Sequence, residues 1–283
     1  MPVSLSKWSA DIPVRKYFDT TVRSHLRTGM SALHLVLSLW LALPKTFAAD
    51  PATFVDKGDG KALVEDVLVR RPPENTQVLG LLKIRLPDRP IIEVPTQMTV
   101  KVSPEFWEDT YKTQPVGDRP GEVLVVRHRG TQPNEYLFGR YAKRDEKPKI
   151  EPIDASKLFQ PFAGSDFYLA DLGLEFLHWP SQKIVKKEMR RSRSCRVVES
   201  INPNPAVGSY SRVLSWIDFE TSNLIMAEGY DANNRLLKEF AIKKISRNEG
   251  KAQLKEIQMR NDQTESLTRL EFNLDLPADT EVK

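Results

Sequence analysis

PFAGSDFYLADLGLEFLHWPSQKIVKKEMRRSRSCRVVES, residues 161–200, joins two differently patterned parts of the chain. Before it, strand-like runs are irregular and interrupted by proline; after it, they are evenly spaced and linked by short polar turns. Within it, residues 165–179 combine a helix start, many large apolar side chains and a proline stop. Ser165 or Asp166, following Gly164, can cap a helix by accepting from its free N–H groups. Phe167, Leu169, Leu172, Leu174, Phe176, Leu177 and Trp179 offer more apolar area than a short surface turn can hide. At roughly 25 cal/mol per Å2 of apolar surface, several kcal/mol depend on where this segment docks. Two readings stay open: it plugs the core of a curved sheet, or it also lines or lids a cavity for a hydrophobic ligand.

Downstream, strand signals fall at 182–189, 195–202, 210–220, 223–230, 236–247, 252–260 and 266–276. The links at 220–223, 231–234, 248–250 and 261–263 carry the Asn, Asp or Gly that tight hairpins favour, so successive strands are antiparallel neighbours. In the last run Leu270, Phe272, Leu274 and Leu276 alternate with Arg269, Glu271, Asn273 and Asp275, giving one apolar and one wet face. Phe240 and Ile242 against Lys238, Glu239 and Lys243 repeat this more weakly, and Ile257 and Met259 fall between Glu256, Gln258 and Arg260. A long meander with one apolar face must curl around something.

Upstream, 59–70 has the spacing of a short amphipathic helix, with Leu63, Val64, Val67 and Leu68 on one side and Pro72-Pro73 as its stop. Strands are predicted at 77–86, 92–102, 106–112, 121–129 and 135–141, and a loop or helical turn at 153–162. The prolines at 87, 90, 95, 104, 115, 120 and 133 are expected at strand ends or edges, because proline has no N–H to give a ladder.

Residues 30–48, MSALHLVLSLWLALPKTFA, have the layout of a secretory signal with cleavage after Ala48. The apolar run of about twelve residues is short of the roughly 20 that a spanning helix needs. Arg23 and Arg27 supply a positive n-region if the chain starts at Met1 rather than Met30. Residues 1–48 are thus read as an extension and cleaved signal, and 49–283 as one domain. Removing the six Lys or Arg and two acids of 1–48 from totals of 42 and 38 leaves 36 of each. The basic pI belongs to the leader and gives no argument for nucleic acid.

Chemistry is scarce. The mature part has two histidines, His128 and His178, and one cysteine, Cys195, which excludes an intramolecular disulfide and a cysteine-based metal cluster. No HExxH, GxSxG or CxxC is present. No cofactor is implied, and no nucleophile with its base can be assembled, so an enzyme is not expected. Lys183, Lys186, Lys187, Arg190, Arg191, Arg193 and Arg196 form a basic hairpin: either a solvated edge that discourages aggregation, or a contact patch for anionic headgroups or a partner, with Lys186, Lys187, Arg190, Arg191 and Arg193 as its centre.

FAGSDFYLADL, the basic hairpin ending in CRVVES, YSRVLSWID, LKEF and EIQMRNDQTESLTRLEF resemble the bacterial outer-membrane lipoprotein-sorting (LolA-like) family. The resemblance implies a mainly β fold with a few short helices, a curved antiparallel sheet forming an incomplete β-barrel whose concave apolar side helices cover. It also implies a monomeric periplasmic carrier or chaperone for lipid or lipoprotein acyl chains, exchanging cargo with an inner-membrane transporter or an outer-membrane acceptor. Alternation then nominates a lining of Phe167, Leu169, Leu174, Phe176, Trp179, Phe240, Ile242, Ile257, Met259, Leu270, Phe272 and Leu274. The alternative is a non-catalytic sensor or adaptor on the same fold that binds a membrane regulatory protein or exporter.

Overall fold

The computed structural model describes residues 59–248 and 251–273. The predicted signal and the end of the last strand, Leu274 included, lie outside the described residues. Asp59 caps the opening helix α1 (Gly60–Leu68) by accepting from the Lys61 N–H at 3.0 Å, and the helix buries Leu63 and Val64. Gly60 lies against the backbone of residues 182–183, where a Cβ would come within 2.7 Å of the Lys183 nitrogen, so only glycine permits the approach.

Six strands follow: β1 (Thr76–Arg85), β2 (Ile92–Val102), β3 (Trp107–Thr113), β4 (Gly121–Arg129), β5 (Gln132–Tyr141) and the two-residue β6 (Glu151–Pro152). After residues 153–180 come β7 (Ser181–Arg190), β8 (Arg193–Ile201), β9 (Arg212–Asp218), β10 (Leu224–Tyr230), β11 (Leu236–Asn248), β12 (Lys251–Asn261) and β13 (Ser266–Asn273). All pair antiparallel in one sheet of order β6-β5-β4-β3-β2-β1-β13-β12-β11-β10-β9-β8-β7. Each strand therefore neighbours the next in sequence, as short hairpins require, with one jump. The chain walks from the middle of the sheet to one edge at β6, crosses to the opposite edge at β7, and walks back until β13 joins β1 with Leu82 opposite Leu270. The sheet stays open, because β6 and β7 are its two ends.

Curvature follows from burial. Tyr136 on β5 and Val198 on β8 lie near opposite ends of the sheet order, yet both join one apolar cluster with the crossing segment. With neighbouring strands about 4.8 Å apart, a flat sheet would hold them tens of ångströms from each other. The inward rows run in register: Ile242 faces Ile257, Ile257 faces Leu270, Leu270 faces Leu82 and Leu82 faces Val94.

Pro95 departs from the edge expectation and sits within β2. Its carbonyl accepts from the N–H of Gln114, one residue past the end of β3. Since N and C=O of a strand residue point to the same neighbour, its missing N–H falls where that neighbour has already ended. A second apolar cluster, Cys195, Val197, Trp216, Ile225 and Met226, is distinct from the interior one, so β8, β9 and β10 bury side chains on both faces. Cys195 is fully buried, and that burial raises its thiol pKa.

Candidate functional site: the covered concave face

Residues 153–180 cross the concave face from edge to edge. Their regular structure is limited to single turns: a 3-10 turn at Ala155–Lys157, α2 (Leu169–Leu172) and a 3-10 turn at Glu175–His178. Between these the chain bends where side chains and positive φ allow. Ala163 and Gly164 have φ of 52° and 65°, and a Cβ on Gly164 would meet Arg119 Nη1 at 2.5 Å.

The cap differs from the expected one. Helix α2 starts at Leu169, and the Tyr168 N–H is held by Asp171 Oδ2 at 2.7 Å. Ser165 instead closes a local turn by accepting from the Phe167 N–H at 3.2 Å. Asp166 reaches across to β13, where its carboxylate accepts from Ser266 Oγ at 2.5 Å and Thr268 Oγ1 at 2.7 Å.

The nominated interior residues come together. Phe167, Leu169, Phe176, Trp179, Phe240, Ile242, Ile257, Met259, Leu270 and Phe272 are all buried in one cluster, with the half-buried Leu174 packed against it. A crevice of about 50 Å3 remains between segment and sheet, walled by Met98, Tyr111, Phe167, Phe240, Ile257 and Phe272 among others. Each fully buried Leu or Phe contributes about 1.5–3 kcal/mol. The segment is thus packed onto the face rather than resting over an empty chamber.

A polar latch, absent from the alternation pattern, accompanies this packing. Lys238, assigned by sequence to the wet face, is 3% exposed and points inward with Phe240 and Ile242, two and four residues on. Its Nζ donates to the Asp166 carbonyl at 2.6 Å and lies over the Tyr168 ring. Burial pushes its pKa down to about 8, against the pull of Asp171 and Asp166. Burial likewise pushes Asp171 up to about 6, opposed by Lys238, the Tyr168 N–H and the Tyr210 hydroxyl, which donates at 3.0 Å. Phe159, Tyr168 and Tyr210 form an aromatic trio with centroids 5.5–5.6 Å apart. At the far end, Gln182 Nε2 donates to the carbonyls of Phe176, Leu177 and Trp179, and the Tyr136 hydroxyl donates to Glu175 at 2.9 Å. The equal parity of Lys238, Phe240 and Ile242 was the one sequence signal for this latch.

The basic hairpin turns at Arg191 and Ser192, both at positive φ, of 51° and 61°. Its cations meet partners on the sheet. Arg190 lies over Trp216 at 5.4 Å and 3.7 Å from Glu228, and Lys186 lies over the same ring and pairs with Glu188 at 2.7 Å. Arg193 pairs with Asp218 at 3.2 Å, and Arg191 donates to the Ile242 carbonyl. Lys187 is also engaged.

His178, expected to be packed, is partly buried, and burial followed by the field of His128 lowers its pKa to about 4. Among the described residues, no group of three or more His, Cys, Asp or Glu is placed to hold a metal.

A protein-family model described as "uncharacterized protein" matches residues 114–282. No curated protein matches the chain. Among solved structures, a DUF1329 family protein from Desulfovibrio piger aligns with a TM-score of 0.61 at 17% identity, over 79% of this chain and 93% of that one. A putative outer membrane lipoprotein-sorting protein domain from Vibrio parahaemolyticus aligns with a TM-score of 0.54 at 16% identity, over 71% and 87%. The chain belongs to the family that this model describes, and its fold is similar to that of the outer membrane lipoprotein-sorting protein domain.

Proposed function

We propose that the protein is a periplasmic carrier or chaperone that takes acyl chains of lipid or lipoprotein onto its concave apolar face, without covalent chemistry, after a signal ending at Ala48 is removed. On this reading residues 49–283 work as one domain, and the inward residues from Phe167 to Phe272 exchange side-chain contacts for hydrocarbon.

The observation that carries the reading is the way the apolar face is covered. A thirteen-stranded sheet hides it largely under one connecting segment, residues 153–180, that shares no long ladder with any strand, with α1 adding Leu63 and Val64 beside it. Beyond Ile153, whose N–H donates to the Tyr136 carbonyl at 3.0 Å, such a segment can leave without breaking the sheet, because its remaining restraints on the strands are hydrogen bonds made through side chains and packing. Lipid-sized pockets run to about 300–1,000 Å3, whereas the crevice here is about 50 Å3. Lodging an acyl chain in that crevice therefore requires displacement of residues 153–180, and there the cover acts as a competitor for cargo. The likeness of the fold to a lipoprotein-sorting domain supports the same reading.

The test is to purify the mature chain from a bacterial envelope, extract it for lipid mass spectrometry, and titrate it with a fluorescent fatty acid. Acyl lipid at near-equimolar amounts, with uptake competed by natural lipid, supports the carrier. A lipid-free protein that also ignores the probe overturns it in favour of an adaptor acting on a membrane partner.

A further inference from the structure

We propose that the rim of the sheet where β7, β9 and β11 end is a docking surface for anionic bilayers, whose lipid phosphates meet its cations while its exposed apolar side chains enter the headgroup layer. Because neighbouring strands are antiparallel, the starts of β8 and β10 fall on the same rim, and hydrogen bonds tie four segments together there. The Phe219 N–H donates to the Ser194 carbonyl at 2.8 Å, Arg70 just after α1 donates to the Thr221 carbonyl, and Arg191 donates to the Ile242 carbonyl.

Each segment sets one exposed apolar side chain beside cations. Val69 precedes Arg70 and Arg71, Met189 precedes Arg190 and Arg191, and Ile245 follows Lys243 and Lys244. The Arg196 guanidinium lies over the Phe219 ring at 4.3 Å. The four apolar residues are 47–65% exposed. Residues 69–71, 187–196, 218–222 and 243–245 hold nine cations and three carboxylates, whereas over 49–283 the two signs are equal in number. Even with Glu228 and Glu256, which pair with Arg190 and Lys244, cations outnumber carboxylates nine to five.

An edge that only discourages aggregation needs charge, but has no use for apolar side chains held in water. A protein partner needs a contiguous, desolvated patch at the centre of its interface, and here the apolar side chains stand one to a segment with cations between them. A bilayer surface suits that spacing. Its phosphates attract Lys and Arg collectively, and single apolar side chains reach the acyl boundary. A partly open cavity of about 80 Å3 lies at the same rim, lined by Arg70, Asp109, His128 and Asn223 and by Leu174 and Leu177 of the cover. Docking therefore brings one edge of the cover to the lipid. The docking stands apart from the carrier reading: vesicle binding without fatty-acid uptake would keep the one and remove the other.

The test is flotation of the mature chain with phosphatidylglycerol vesicles and with phosphatidylcholine vesicles, at low and at high salt. Binding to phosphatidylglycerol should be tighter by about tenfold or more, and salt should weaken it. Arg191→Glu combined with Lys243→Glu should weaken it by about tenfold or more, and Met189→Ser combined with Ile245→Ser should weaken it severalfold. Arg144→Glu, beyond the far end of β5, should leave it unchanged. Should the first pair fail to fold, Lys243→Glu alone, at an exposed side chain, should still weaken binding severalfold. No vesicle binding, equal binding of the two lipids, binding unchanged in the folded variants, or an equal loss in Arg144→Glu would overturn the proposal. Capture of polyglutamate without vesicle binding would overturn it too, and give the rim to an acidic protein partner.

Discussion

Replacing Asp166 by alanine tests the latch directly. The substitution keeps the two backbone bonds of residue 166, its N–H to Thr268 Oγ1 at 2.9 Å and its carbonyl from Lys238 Nζ at 2.6 Å. It removes two charge-assisted bonds from Ser266 and Thr268, whose hydroxyls are 2% and 0% exposed as residues. Bonds to a charged group are worth about 1.5–3 kcal/mol each, and two sharing one carboxylate do not add fully, so a loss of about 3 kcal/mol is expected. With an m-value of about 3 kcal/mol/M for a domain of this size, the urea midpoint should fall by about 1 M. Asp166→Asn, which retains one acceptor, should lose about half as much. If the lost energy falls on the covered state alone, the uncovered population rises by about a hundredfold, and fluorescent fatty-acid uptake should quicken accordingly. A midpoint within about 0.2 M of wild type, below about 0.6 kcal/mol, would refute the assigned bonds. A full midpoint loss with unchanged uptake would refute the cover as a gate while leaving the bonds intact.

Phe167→Ala, at a side chain 1% exposed beside the crevice, should cost about 3–5 kcal/mol and enlarge that crevice, measured by denaturation and by uptake of benzene-sized probes. Lys238→Met should change the pH profile. The folded pKa of Lys238 is depressed to about 8 from 10.5, so the unfolded chain binds more protons between those values and wild-type stability should rise with pH across that window relative to the variant. Parallel midpoints from pH 8 to 10.5 would contradict the burial of Lys238. Arg193→Glu places an anion beside Asp218, which now pairs with the Arg193 cation at 3.2 Å. It should lower the melting temperature by a few degrees, equivalent to about 1 kcal/mol, and a contact-patch role would show separately as weaker binding to anionic vesicles.

Local chemistry explains how much of the fold could be read in advance. Strands β2 and β4 coincide with their predicted spans, and the other strands start or end within three residues of theirs, except the two-residue β6, for which no strand is predicted; alternation and turn residues act between near neighbours. The exceptions are instructive. Pro95 broke the edge rule because its position faces the end of β3, a fact of pairing and not of composition. Ser165 and Asp166 resemble caps, but Asp166 is needed by hydroxyls a hundred residues away. Lys238 was assigned to solvent by its charge, although its parity put it inside.

The amino-acid sequence by itself determined the strands, their hairpin succession, the amphipathic start and the apolar character of residues 165–179. These depend on periods of two and 3.6 residues and on turn chemistry, all legible within a short window. Only the tertiary structure decided that β13 returns to β1 and that residues 153–180 bridge the two sheet edges. It alone brought Asp166, Asp171 and Lys238 into one buried latch, and Asp109, His128 and Asn223 to one cavity. Those meetings join residues tens to more than a hundred positions apart, and they are set by which strands pair, since pairing determines which side chains share the concave face.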